Sequence, residues 1–383
     1  MASVDQDSHP EVVLDQFRDQ VRQWLSTVRR PFGLRDYGAT PAESDLEAGR
    51  AWQRTLASAG WACIAWPSTW GGRGASAAEQ AVFAEECAQA GVPRQLNIVG
   101  PDLVGPVLLA HGTDPQRQNW LPRIRSGDDL WCQLFSEPDA GSDVAGIATR
   151  ARRAGRGWMV NGRKVWSSGA RSADLGLLLV RTGTDRYDLS MLALPMRTSG
   201  VEVRPIRQMD GESKFNEVTF DDVEVDDRCL LGSPGDGWKL AMSTLGSERQ
   251  TLGAQAVALA AHLDDTTRIR PPVGGLARQD YAALWTRIFL LRLNFRRLLG
   301  AGRPLADPLF STLKLEATEL QRDLCRYGVG QAGPASMSWT GAPPTGTTRF
   351  LAQPGQTIAG GTSEIQRNIV AERVLGLPRE KAT

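Results

Sequence analysis

The spacing of apolar positions changes twice along the chain. Val13, Phe17, Val21 and Leu25 recur every four residues, one stripe of an amphipathic helix. Trp52, Leu56 and Trp61 continue that pattern to a break at Pro67-Ser68-Thr69-Trp70-Gly71-Gly72. Ser76-Ala77-Ala78-Glu79 has the form of a capping box and opens a helix carrying Ala81, Phe83, Ala84 and Cys87. Residues 101–111 and 114–124 predict two further short helices. From about residue 131 to 231 the pattern is that of strands. Residues 175–180 and 189–194 are nearly continuous apolar runs of buried-strand type, the second ended by Pro195. Residues 201–204 alternate, and 218–225 do so in part. From Gly237 onward helices return over 238–263, 277–299, 306–327 and 363–375, suited to an antiparallel bundle. Residues 333–356 are rich in Gly, Pro and Thr and read as a long loop. The expected fold is α+β: an N-terminal helical domain over 1–128, a mostly antiparallel β domain over 129–234, and a C-terminal helical bundle over 235–383.

Composition narrows the function classes. The chain has 383 residues, 41% hydrophobic and 23% charged, with net charge +1. That balance gives no electrostatic reason to expect nucleic acid or an anionic membrane. The five cysteines are scattered, without a CxxC pair, and the three histidines form no metal-ligating spacing. They read as buried thiols and ordinary histidines. No apolar run is long enough to span a bilayer, and the opening MASVDQDSHPEVV lacks an apolar signal core, so the expectation is a soluble, cytoplasmic protein.

Residues 134–169 concentrate the candidate chemistry. Ser136-Glu137-Pro138-Asp139-Ala140-Gly141-Ser142-Asp143 is a turn-rich loop of hydroxyls, glycine and carboxylates. Residues 158–166 read as a hairpin closed by Asn161-Gly162, because both residues accept positive φ. Together they offer N–H groups, hydroxyls and an indole face to a flat ligand. Gly328-Val329-Gly330-Gln331-Ala332-Gly333 matches GxGxxG, but it follows a helix rather than a strand, and a helix terminus explains it.

The loop, with Trp158 and residues 161–168, resembles the flavin-binding signature of the acyl-CoA dehydrogenase family. Residues 215–223 and the tail Gly360-Gly361-Thr362-Ser363-Glu364-Ile365-Gln366-Arg367 resemble that family as well, in the same order. The resemblance implies FAD between the β domain and the bundle. It implies that Phe135, Ser136, Gly141 and Ser142 hold the cofactor, that Trp166 packs on the flavin ring, and that the Ser168 hydroxyl bonds near N5. Thr362 and Glu364 would lie on the cofactor side of the last helix. The implied reaction is α,β-desaturation of an acyl-CoA or acyl-carrier thioester, in fatty acid metabolism, with an electron-transfer flavoprotein as acceptor and a homodimer or homotetramer as the assembly. No nucleic acid and no membrane span enter this reading.

Many family members place the catalytic Glu just before the last helix, where this chain has Gly360. Others place it on the first bundle helix, directly before an Arg, and this chain has Glu248-Arg249 there. Glu248 is therefore the expected base and Arg249 its neighbour at the CoA end of the substrate, with Ser142 also on the substrate. The family's Arg-x-x-Phe-Gly segment is altered here to Arg268-Ile269-Arg270-Pro271-Pro272-Val273, which leaves Arg268 as the contact to a neighbouring subunit's FAD. These departures keep two alternatives in view. One is a flavin oxidase, monooxygenase or biosynthetic desaturase of the same fold, acting on a carrier-bound acyl group. The other is a non-catalytic subunit of a mixed oligomer.

Overall fold

The computed structural model describes residues 10–28, 45–93, 95–247, 252–301, 303, 307–337 and 346–379. Among the described residues five α-helices come first: α1 (Pro10–Thr27), α2 (Leu46–Ser58), α3 (Ala77–Ala90), α4 (Gly105–His111) and α5 (Asp114–Ser126). The stripe on α1 buries Phe17 and Val21. Both sides of the capping box at Ser76 and Glu79 form, and a second box, Thr113 with Gln116, opens α5. A π turn, Val99–Val104, leads into α4.

The strands are β1 (Trp131–Leu134), β2 (Arg150–Ala154), β3 (Gly157–Ser168), β4 (Leu175–Arg181), β5 (Leu189–Pro195), β6 (Val201–Ile206), β7 (Phe215–Asp226) and β8 (Leu230–Leu231). They form a sheet of order β6-β7-β3-β2-β4-β5-β8, with β1 added on β4. β1 pairs with β4 in parallel, as does the Arg150–Arg181 bridge, and the remaining pairings are antiparallel. The continuous apolar run of β4 has a physical cause. Leu175, Leu177 and Leu179 enter a core shared with the N-terminal helices, while Leu178 and Val180 enter a second core beneath β3 and β7. A strand covered on both faces has no reason to alternate.

The bundle contains α6 (Gly237–Ser247), α7 (Leu252–Ile269), α8 (Gly275–Gly300), α9 (Phe310–Ala332), α10 (Gly346–Ala352) and α11 (Ser363–Ile369). Leu259, Leu263, Leu284, Ile288, Phe295, Leu313 and Leu320 fill its core. The outer face of α8 leaves Trp285, Phe289, Leu290 and Leu293 exposed, the two rings stacked 5.4 Å apart. Glu85 and Glu86, buried on α3, take Arg18 and Arg22 from α1 and Arg292 from α8, tying the first helices to the bundle.

Two expectations change. Asn161-Gly162 does not close a hairpin: β3 runs straight through it, and the β2–β3 turn lies at Gly155-Arg156. Asn161 instead exchanges two 2.9 Å hydrogen bonds with Asp222 on β7. A Cβ on Gly162 would stand 2.6 Å from Thr149 Oγ1 and 2.7 Å from its Cα, so close approach of two chain segments calls for the glycine. Within the predicted helix over 238–263 the described residues are helical, α6 up to Ser247 and α7 from Leu252, and 248–251 lie outside the described residues. The predicted loop over 333–356 contains α10, which packs on α9; Thr347 donates to the Ser336 carbonyl at 2.7 Å. The GxGxxG segment forms the last turns of α9, with Gly333 as C-cap.

Candidate functional site

The loop after β1 is closed by a reciprocal pair of backbone bonds, Glu137 N–H to Ala140 O (2.9 Å) and Ala140 N–H to Glu137 O (3.1 Å). This tight turn pushes Gly141 and Ser142 to the surface. Among the described residues nothing accepts from their N–H groups, and a Cβ at Gly141 would meet open space. Phe135 is buried and Ser136 half-buried; the Ser136 carbonyl accepts from Val165 N–H at 2.9 Å.

β3 carries the other part. Its register with β7 shifts between Lys164 and Ser167, a bulge centred on Val165 and Trp166. Trp166 has φ +61°, a conformation a bulky residue adopts only when its surroundings impose it. The bulge turns the indole outward: Trp166 is 57% exposed, edge-on to Phe215 at 6.1 Å. Bulges re-aim side chains beside functional sites, and this one presents an aromatic face next to the loop. Ser168 follows, half-buried, paired in register with Phe215. The Ser142 and Ser168 hydroxyls have no hydrogen-bond partner among the described residues. An exposed indole, two outward amides and unengaged hydroxyls fit the ring and phosphates of a flavin dinucleotide.

Two residues quoted in the motifs without a role stand at the centre of this geometry. Lys164 is fully buried, and its ammonium donates to Glu137 Oε1 (2.8 Å) and to the Phe135 carbonyl (2.9 Å). Glu137 also accepts from Ala148 N–H (2.6 Å) and Thr149 N–H (3.0 Å). Burial drives the Lys164 pKa down to about 8, against the opposing pull of Glu137. Burial raises Glu137, but Lys164 and the Thr149 and Ala148 bonds outweigh it and hold the carboxyl below its ordinary value. A sequence signal existed: Lys164 shares the period-two parity of buried Trp158 and Val160.

At the loop's end, Asp143 pairs with Arg186, and the next residue, Tyr187, lies edge-on to Trp238 of α6 at 5.0 Å. Leu240 and Ala241 seat α6 in the first core, against β5. Glu248 and Arg249 come directly after α6 in sequence and lie outside the described residues.

The bundle residues make contacts of their own. Thr362 caps α11, accepting from Ile365 N–H at 3.2 Å. Glu364 is exposed and pairs with Arg367 at 3.6 Å; hydrogen bonds from its own backbone and from Thr362 lower its pKa. The preceding turn is pinned by Lys314 Nζ on the Gly361 carbonyl (2.7 Å) and Gln366 Nε2 on the Gly360 carbonyl (3.1 Å). Gly360 has φ +63°. Arg268 lies exposed at the end of α7, paired with Asp265 at 2.6 Å. No hydrogen bond among the described residues joins Thr362, Glu364 or Arg268 to the loop.

Comparison with known proteins covers nearly the whole chain. Three family models match in order: "Acyl-CoA dehydrogenase, N-terminal domain" over residues 14–128, "middle domain" over 132–223 and "C-terminal domain" over 235–375. The acyl-CoA dehydrogenase IpdE1 of Mycobacterium tuberculosis is 40% identical over 380 residues, 96% of this chain and 98% of that protein. Among solved structures, the Tcur3481-Tcur3483 steroid ACAD superposes with a TM-score of 0.84 at 28% identity, covering 98% of this chain and 100% of that one. The ChsE4-ChsE5 complex from Mycobacterium tuberculosis gives 0.81 at 26% identity, with the same coverage.

Proposed function

Since the chain belongs to the acyl-CoA dehydrogenase family, an oxidoreductase family whose members bind FAD, we propose that it desaturates an acyl-CoA thioester at the α,β position, with Glu248 as the base. The observation that carries the cofactor half of this reading is the bulge that turns Trp166 outward beside the exposed Gly141–Ser142 turn.

Phe135, Ser136, Gly141 and Ser142 hold the cofactor through backbone and hydroxyl groups, Trp166 covers the ring, and Ser168 offers its hydroxyl near N5. Thr362 and Glu364 contribute from α11, and Arg268 serves the neighbouring subunit's cofactor. FAD, when bound, supplies the acceptor for the β-hydride. The α-proton of a thioester is weakly acidic, and its removal places charge on the carbonyl oxygen. Glu248 takes that proton as the double bond forms, and Arg249 and Ser142 orient the substrate. Gly360, at the other position where the family keeps a carboxylate, has no side chain with which to take a proton.

The similarity to a structure described as a steroid ACAD supports a bulky, ring-bearing acyl group as the substrate class. Two of the similar structures name two different proteins, which supports a mixed oligomer as a second reading; the apolar outer face of α8 favours assembly of either kind. In an anaerobic titration against straight-chain and ring-bearing acyl-CoAs, the yellow protein should bleach with the ring-bearing class. Glu248→Gln should keep the flavin and slow bleaching by about 10²–10⁴-fold. Full activity in that variant removes the assignment of the base. Light scattering on the chain alone separates a homo-oligomer from a chain that assembles only with a partner.

A further inference from the structure

The ion pair between Lys164 and Glu137 does more than fill the space between loop and sheet. A fully buried ammonium is among the least favourable groups to desolvate, and pairs of this kind are often replaceable by apolar residues of similar volume without loss of stability. What sets this pair apart is its set of partners. The ammonium holds the Phe135 carbonyl at 2.9 Å, and the carboxylate holds the N–H groups of Ala148 and Thr149 at 2.6 and 3.0 Å. Three backbone groups on either side of the Gly141–Ser142 turn therefore end on one ion pair. On the strand, the residue after Lys164 donates to the Ser136 carbonyl at 2.9 Å, and the one after that is Trp166. Lys164 points inward immediately before the bulge, and Trp166 points outward from it.

We infer that Lys164 and Glu137 are a positioning pair for the cofactor, fixing the outward amides of Gly141 and Ser142 relative to the indole of Trp166. A flat ring joined to a pyrophosphate must meet both features at once, and the pair, beside the Val165–Ser136 backbone bond, ties them together. Thr149 extends the same frame: its Oγ1 accepts from Arg163 N–H at 3.2 Å, just after the glycine that lets the two segments approach. Apolar replacements would fill the volume but leave the Phe135 carbonyl and two amides unpartnered, and those groups would reorient the loop. The inference rests on the FAD reading given above.

The test compares apoproteins of the wild type, Lys164→Met and the double variant Glu137→Met/Lys164→Met. Thermal denaturation and the FAD dissociation constant, from quenching of flavin fluorescence, are measured on each. Lys164→Met should lower Tm and raise the dissociation constant at least about tenfold, the size of effect seen when supporting partners of a site are removed. The double variant, free of an unpaired buried charge, should recover much of the Tm while its FAD affinity stays weak. Recovery of wild-type affinity together with Tm overturns the inference, since a purely structural pair would behave in that way. A wild-type apoprotein that binds no FAD overturns the cofactor reading and this inference with it, whereas tight wild-type binding with an unaffected double variant overturns the inference alone.

Discussion

The sheet side of the proposed site and its bundle side are built by different means. On the sheet side, loop and strand are joined through buried groups: a carboxylate shared between an ammonium and two amides, and backbone bonds that close the turn at Glu137 and Ala140. On the bundle side, Glu364 and Arg268 form ion pairs at the surface with residues three positions away. Buried, backbone-linked geometry tolerates little change, because each lost partner leaves a desolvated group behind. Exposed i,i+3 pairs contribute little and rearrange freely. The sheet side is therefore suited to hold an invariant cofactor. The bundle side is suited to vary with substrate and partner.

The comparison breaks most sharply at Glu137. Glu137→Gln leaves Lys164 buried without its counter-ion and should destabilise the protein by about 3 kcal/mol at neutral pH in urea unfolding. The pH dependence has a definite sign. The folded pKa of Glu137 lies below its ordinary 4.5, so its contribution is complete above that value and is lost as pH falls through the folded pKa. Wild type and variant should converge on acidification across that window; a gap that stays constant contradicts the assignment.

Gly162→Val tests the close approach of β3 to Thr149 and should cost about 2–3 kcal/mol by overpacking, read as a lower urea midpoint with unchanged slope. Trp166→Gly separates stability from function. Removing a bulky residue from φ +61° should stabilise the apoprotein by about 1 kcal/mol, while loss of the indole should weaken FAD binding about tenfold. Calorimetry and fluorescence titration read the two effects independently, and a variant that loses both stability and affinity would show that the indole is structural. Arg268→Ala should leave the Tm of the isolated chain unchanged. Any effect should appear only as faster FAD loss from the assembled oligomer, seen on gel filtration.

Much of the architecture was legible from local pattern. The α1 stripe, the Ser76 capping box and the two apolar runs of β4 and β5 follow from spacing alone, because burial on one face or on both writes itself into the sequence. A dipeptide rule fails at Asn161-Gly162 because it sees only neighbouring residues. The partners that decide its conformation, Asp222 and Thr149, are far off in the chain. The bulge at Trp166 is likewise a property of the β3–β7 register, which no single segment encodes. Lys164 left a trace, a charge on the apolar parity of a strand, but its partner could be known only from the folded loop. The motifs that carry the family resemblance are legible in the sequence; how tightly the sheet side is cross-tied is not.

The two-sided burial of β4 bears on how far the protein can be dismantled. The family models divide the chain between residues 128 and 132, yet Leu175, Leu177 and Leu179, well beyond that boundary, pack with Leu56, Trp61 and Leu108 before it. A fragment cut there would bare one face of β4 and β5 to water. The N-terminal helices are thus a cheek of the β domain rather than a detachable module. The two parts should melt in a single calorimetric transition, and a recombinant β domain should be soluble only when the helices are supplied with it.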